Sequence, residues 1–225
     1  MAKAIIHYDK DLPEIPGRRP WERPTQHLVK DESSPTGWRG AEGRRPSKLL
    51  LVPKIREEVD RWREAGYPGA TDVTKRLFEY WFEEEHEVPG FQVPFRYWFC
   101  QREAIETLAW LVEITDITDT EELIRAYAQV QKHGLITDTI TFQTAMDGTR
   151  QVRRWVPERE AEGVQDLPPE NLRRYAFKLA TGAGKTWVMA MAVVWSYFHK
   201  RKVKDSPLST NFLIVAPNVI VYQRL

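Results

Sequence analysis

At 225 residues, with 42% apolar residues and nine tryptophans, the chain has enough material for one large domain or two small ones, which excludes global disorder. A formal net charge of +1 excludes a global basic field toward nucleic acid, while leaving room for a local basic face. The single cysteine, Cys100, excludes an intramolecular disulfide and a cysteine-based zinc site; it reads as buried packing and fits a reducing cytoplasm. Residues Met1 to His7 carry no apolar core long enough for a secretory signal. The run Trp187 to Phe198 is too short to span a bilayer. The expectation is a cytoplasmic protein with no membrane contact.

Residues 1–46 contain six prolines, four glycines and many arginines without sustained periodicity, and are expected to form an extended basic arm. Arg18, Arg19, Arg39, Arg44 and Arg45 either touch nucleic-acid phosphates or belong to a solvated linker. Order begins near Pro53. Ile55, Val59 and Trp62 recur at helical spacing, and Gly66 stands where a helix C-terminal cap is expected. A second helix starts at Thr71 or Asp72, buries Val73, Leu77, Tyr80 and Trp81, and ends in Glu83-Glu84-Glu85-His86-Glu87. Adjacent acidic residues do not share a helical face, so that cluster reads as a solvated helix end rather than a metal site. The five histidines show no ligand spacing.

Past Pro94, Ile105, Leu108, Leu111 and Val112 form an amphipathic stripe. A further helix is expected over Glu121–Lys132, capped by Thr120 and closed at Gly134. Thr137–Phe142 and Arg150–Val156 read as short strands, with Asp147-Gly148 as the turn between them. Tyr175–Leu179 reads as a strand leading into a glycine-rich turn, which is followed by a helix running to about Lys200. Asn211–Ala216 is a continuous apolar run of the kind found in buried parallel strands.

The glycine-rich turn is the most informative stretch: Leu179-Ala180-Thr181-Gly182-Ala183-Gly184-Lys185-Thr186. Glycines admit backbone conformations that a Cβ forbids, so successive amide N–H groups can converge on phosphate oxygens at the positive end of a helix. Thr181, Gly182, Ala183, Gly184, Lys185 and Thr186 are therefore the expected nucleotide-binding residues. Lys185 is the catalytic candidate, reaching the β- and γ-phosphates, and the Thr186 hydroxyl is the candidate Mg²⁺ ligand. The general pattern G-x-x-x-x-G-K-[ST] is met except at its first position, which is Leu179.

With that departure the stretch resembles motif I of superfamily-two, DEAD/DEAH-like helicases. Gln101, in Cys100-Gln101-Arg102-Glu103-Ala104-Ile105, resembles the glutamine that reads adenine in such enzymes. Its amide offers a donor and an acceptor, matching an edge of the base; the alternative is an ordinary exposed helical glutamine. Ala216-Pro217-Asn218 resembles motif Ia, which implies that Pro217 and Asn218 contact a DNA backbone. The wording of residues 174–182 and 211–225 is most similar to the helicase (Res) subunit of type III restriction enzymes. Related bacterial defence helicases are equally compatible.

The resemblance implies an α/β fold: an incomplete P-loop NTPase (RecA-like) motor domain preceded by a mainly helical N-terminal region. The implied divisions are a basic arm (1–46), a helical region carrying Gln101 (47–115), an insertion (116–172) and the start of the ATP-binding domain (173–225). ATP and Mg²⁺ are the implied cofactors. Double-stranded DNA and a DNA methyltransferase (modification) subunit are the implied partners. Gln101 and Lys185 are further apart than in compact helicases, so the insertion must loop out for both to reach one nucleotide. No apolar strand closed by Asp-Glu follows the glycine-rich turn, and phosphoryl transfer needs such an acidic pair. The chain therefore reads as the N-terminal piece of a larger ATP-driven DNA motor, binding ATP weakly and hydrolysing none by itself. A small-molecule kinase fits poorly, because about 180 residues precede the turn. A non-catalytic scaffold with a vestigial loop is the alternative from another class.

Overall fold

The computed structural model describes residues 15, 17–47, 49–87, 90, 94–128, 130–132, 135–137, 140–156, 159–169 and 174–215. The chain divides into two units, Met1–Pro46 and Ser47–Leu225. The first holds an antiparallel hairpin, β1 (Gln26–Lys30) and β2 (Trp38–Glu42), in register from Gln26 opposite Glu42 to Lys30 opposite Trp38. This corrects the expectation of an extended arm. The turn is built from polar residues: the Asp31 carboxylate accepts from the Ser33 amide and hydroxyl, and Gly37 supplies a φ of +72°. Strand pairing satisfies backbone groups that side-chain periodicity does not report. Two of the arm's arginines have acidic neighbours within the unit, Arg19 at 3.0 Å from Glu22 and Arg39 at 3.4 Å from Asp31.

In the second unit four helices carry the main core. They are α1 (Val52–Glu64), α2 (Asp72–Phe82), α3 (Phe99–Glu113) and, after an intervening β region, the long helix Lys185–Lys202. Helix α1 buries Ile55, Val59 and Trp62 as their spacing predicts, and the chain leaves it through Gly66 at φ +75°. Helix α2 is capped by Thr71, whose side chain accepts from the Thr74 amide. Its buried face is Thr74, Phe78 and Trp81, so the expected stripe is corrected: Tyr80 is exposed and Thr74 is fully buried. The reason is a polar knot. The Thr74 hydroxyl accepts from the Trp195 indole N–H at 2.8 Å and donates to Glu113, which also accepts from the Thr71 amide at 2.8 Å. A satisfied threonine can occupy a core position that hydropathy assigns to solvent.

A second buried polar centre joins α1 to α3. The Glu106 carboxylate is fully buried and accepts from Arg63 at 2.7 and 2.5 Å, from Tyr67 at 2.6 Å and from Arg102 at 2.8 Å. Burial disfavours charge on the Arg63 guanidinium, but the bonds to Glu106 and Asp60 outweigh it and its pKa is raised. The Tyr67 hydroxyl is pushed up by burial and by the Glu106 charge.

Between α3 and the long helix lie α4 (Thr120–Tyr127) and strands β3 (Val130–Lys132), β4 (Leu135–Thr137), β5 (Thr141–Thr144), β6 (Arg150–Val156) and β7 (Ala161–Asp166). The helix expected over Glu121–Lys132 is shorter, and its cap is Asp119 rather than Thr120. The Asp119 carboxylate accepts from the Glu121 and Glu122 amides and from Arg150 at 2.7 Å, and the bonds from Arg150 lead in holding it below the usual aspartate range. Strands β3 and β4 form a hairpin, while β5, β6 and β7 form an antiparallel sheet with β6 in the centre. The Asp147-Gly148 turn joins β5 to β6, with Gly148 at φ +85°. The strand expected over Thr137–Phe142 is divided between β4 and β5. Val152, Ile124 and Leu167 form a small separate core here.

The helix Lys185–Lys202, α5, packs against α2 and α3 through Val188, Met191, Trp195 and His199. Two other expectations require correction. Residues 174–180 are mostly exposed and form no strand, and residues 211–215 are exposed and irregular rather than buried. A strand is stable only with a neighbour to share its ladder, and among the described residues none pairs with either segment. Expected and observed elements still agree in kind, since the chain mixes helices and strands.

Two measurements follow. Glu106→Ala removes the buried carboxylate shared by Arg63, Arg102 and Tyr67, and is expected to lower unfolding free energy by about 3 kcal/mol in urea titration. His199 is buried with Nδ1 2.7 Å from the Ser206 hydroxyl and Nε2 3.2 Å from Glu113 Oε1, the latter poorly aligned for a hydrogen bond. Burial, partly opposed by Glu113, holds its pKa below the ordinary value of 6.5. The unfolded chain then binds the proton more readily, so this contribution is complete above about pH 6.5 and is lost as pH falls below it. Melting curves should show a larger loss of Tm between pH 7.5 and 5.5 for the wild type than for His199→Gln.

Candidate functional site

Helix α5 begins at the glycine-rich turn, and the turn's backbone is set by two glycines. Gly182 lies at φ +80° and Gly184 at φ +74°, both in the left-handed region, and Gly184 immediately precedes the helix. Between them Ala183 is buried, while Thr181, Gly182, Lys185 and Thr186 are exposed. The Ala183 amide closes the turn onto the Ala180 carbonyl at 3.3 Å, and the Trp187 amide bonds the Gly184 carbonyl at 3.0 Å. Among the described residues no acceptor meets the amides of Gly182, Gly184, Lys185 or Thr186. Those donors sit at the start of an 18-residue helix, whose positive dipole end adds to their pull on an anion. The Lys185 ammonium folds back to the Ala180 carbonyl at 2.8 Å.

Gln101 meets this turn from 82 positions upstream. It is buried, and its Nε2 donates to the Ala183 carbonyl at 3.0 Å. Its Oε1 accepts from the Trp98 amide at 3.0 Å, closing the first turn of α3. The residue is thus neither the exposed helical glutamine of the alternative reading nor, as placed, an amide with its edge open to a base.

Beside the turn stands an aromatic wall that the sequence did not single out. Trp187 is 46% exposed, with its ring 5.1 Å from Phe95 and 5.7 Å from Tyr97. Tyr97 continues to Phe82 at 5.9 Å. The sole sequence sign was the density of aromatics around Tyr97. The acidic residues after α2 pair with arginines: Glu83 lies 3.0 Å from Arg102, and Glu84 lies 2.6 Å from Arg76. Cys100 is partly buried on α3. Pro217 and Asn218, expected at a DNA backbone, lie outside the described residues.

The family model for the type III restriction enzyme res subunit matches residues 99–225, more than half of the chain. The chain belongs to this family. The match begins at the first residue of α3, so Gln101, the glycine-rich turn and α5 all fall inside it. The res-subunit family carries a helicase-like ATPase domain, which implies a RecA-like P-loop fold. No curated protein and no solved structure matches the chain. No described helix is long and apolar enough to cross a membrane.

The two glycines should respond differently to a methyl group. A Cβ at Gly182 meets open space, whereas one at Gly184 collides with Gln101 Nε2 and approaches Trp187 Cδ1 to 3.2 Å. Gly182→Ala is expected to lose about 1–2 kcal/mol from its left-handed backbone alone. Gly184→Ala should lose clearly more, as read by urea denaturation of both variants.

Proposed function

We propose that this res-subunit relative is the ATP-binding part of a DNA-dependent ATPase that translocates on or unwinds duplex DNA, in a type III restriction or related defence system. The observation that carries this reading is the set of four amides without acceptors among the described residues, on a turn with two left-handed glycines and one lysine. That donor set suits a polyphosphate: it is cationic, built from backbone, and open above Gly182. Thr181, Gly182, Ala183, Gly184, Lys185 and Thr186 would cradle ATP. Lys185 would leave the Ala180 carbonyl for the β- and γ-phosphates, and the Thr186 hydroxyl would hold Mg²⁺. Magnesium, when bound, neutralises charge between the terminal phosphates.

The remaining assignments belong to the same proposal. Pro217 and Asn218 would touch the DNA backbone. The arginines of residues 1–46 would add sequence-independent phosphate contacts, and a DNA methyltransferase would serve as modification partner. The segments 1–46, 47–115, 116–172 and 173–225 would act as arm, glutamine-bearing helical region, insertion and ATP-binding start. The sequence after the glycine-rich turn has no apolar run closed by Asp-Glu to seat the metal and orient water, so this chain should bind without turnover.

Calorimetry with ATP and Mg²⁺ is expected to give weak binding that Lys185→Ala reduces at least about tenfold, through loss of charge-assisted bonds to phosphate. Phosphate release should stay at background with or without duplex DNA. Absence of any Lys185-dependent ATP binding would sink the reading in favour of a scaffold with a vestigial loop. Turnover abolished by Lys185→Ala would overturn the expected inactivity of the chain alone.

A further inference from the structure

We propose that Gln101 is a positioning residue for the phosphate cradle: it locks the Ala183–Gly184 peptide with its carbonyl inward and its amide outward. The inference rests on the nucleotide-binding reading above and concerns how that site is held in shape. Its first support is that the side-chain amide's orientation is unambiguous. Oε1 faces the Trp98 N–H, which can only donate, and Nε2 faces the Ala183 carbonyl, which can only accept. Both ends of the amide are therefore engaged inside the protein, at a residue that is 4% exposed.

The second support is peptide geometry. In a planar trans peptide the C=O and the following N–H point in opposite directions. Holding the Ala183 carbonyl on Gln101 therefore turns the Gly184 amide the other way, among the outward donors of the turn. Without that anchor the peptide is free to flip. A flipped peptide would present a carbonyl oxygen where an anion belongs, replacing attraction by repulsion. The third support is close approach: only a residue without a Cβ fits at Gly184 beside Gln101 Nε2. Gln101 as placed thus restricts position 184 to glycine.

This role has a consequence for specificity. Gln101 keeps a second N–H and a second Oε1 lone pair, but at 4% exposure an adenine edge could reach them only if the side chain left its place against α3 and the turn. A site held as observed senses the phosphates through Gln101 and leaves the base unread by that side chain.

The test uses the whole chain and three probes: ATP, GTP and inorganic tripolyphosphate, each with Mg²⁺. Gln101→Glu keeps the acceptor for Trp98 but sets an oxygen against the Ala183 carbonyl; Gln101→Met removes both bonds at similar volume. Far-ultraviolet circular dichroism checks that each variant folds. Both variants should weaken all three probes together, by about tenfold for Gln101→Glu. Amide hydrogen exchange in residues 181–187 should quicken even without ligand. A loss confined to ATP, with GTP and tripolyphosphate unchanged, would establish base reading and overturn the inference. If the wild type binds none of the three, the nucleotide reading fails, and exchange alone decides the positioning role. Unchanged exchange in a folded variant would then overturn it.

Discussion

The arrangement depends on how α5 is seated. Its N-terminus is the glycine-rich turn, and its orientation is held by one polar knot in an apolar interface. The Trp195 indole donates to Thr74, Thr74 donates to Glu113, and Glu113 also accepts from the Thr71 amide that starts α2. Three helices meet at that point. Apolar contacts among Val188, Met191, Ile105 and Phe78 are tolerant of small rotations, because burial is nearly direction-free. Directional hydrogen bonds are not. A rotation of α5 would leave the Trp195 indole N–H buried without its acceptor, so the knot favours one orientation and the turn is carried with it.

The other end of the same logic lies on α3. Glu106 binds Arg63 and Tyr67 from the α1 side while Arg102 closes the cluster from α3 itself. One turn earlier Gln101 reaches the Ala183 carbonyl. Helix α3 therefore acts as a rigid ruler between the N-terminal core and the phosphate-loop candidate. The segment from α4 to β7 lies between these partners in sequence and makes its own antiparallel sheet with a separate small core.

Residues 174–180 and 211–215 mark where family resemblance and described geometry part. Tyr175–Leu179 and Asn211–Ala216 have the sequence of sheet strands, yet residues 174–180 are mostly exposed, residues 211–215 are exposed, and both segments are irregular. Membership of the res-subunit family still implies a P-loop fold. Among the described residues no parallel ladder orders those two segments.

The local features were legible in the residues themselves: the helices at Ile55, Val59 and Trp62 and at Ile105 to Val112, the Asp147-Gly148 turn, and the glycine-rich turn with Lys185 and Thr186. Each is decided within a few positions by periodicity or by the backbone freedom of glycine, so a linear reading suffices. The buried face of α2, the cap at Asp119, the hairpin at Gln26–Glu42 and the environment of Gln101 were not. Each depends on a partner brought from elsewhere in the chain, as Trp195 is to Thr74, Arg150 to Asp119 and Ala183 to Gln101. Residue chemistry stated what Gln101 could bond; only tertiary packing chose a loop carbonyl as one of its partners, because burial leaves a polar group no alternative to the nearest complementary atom.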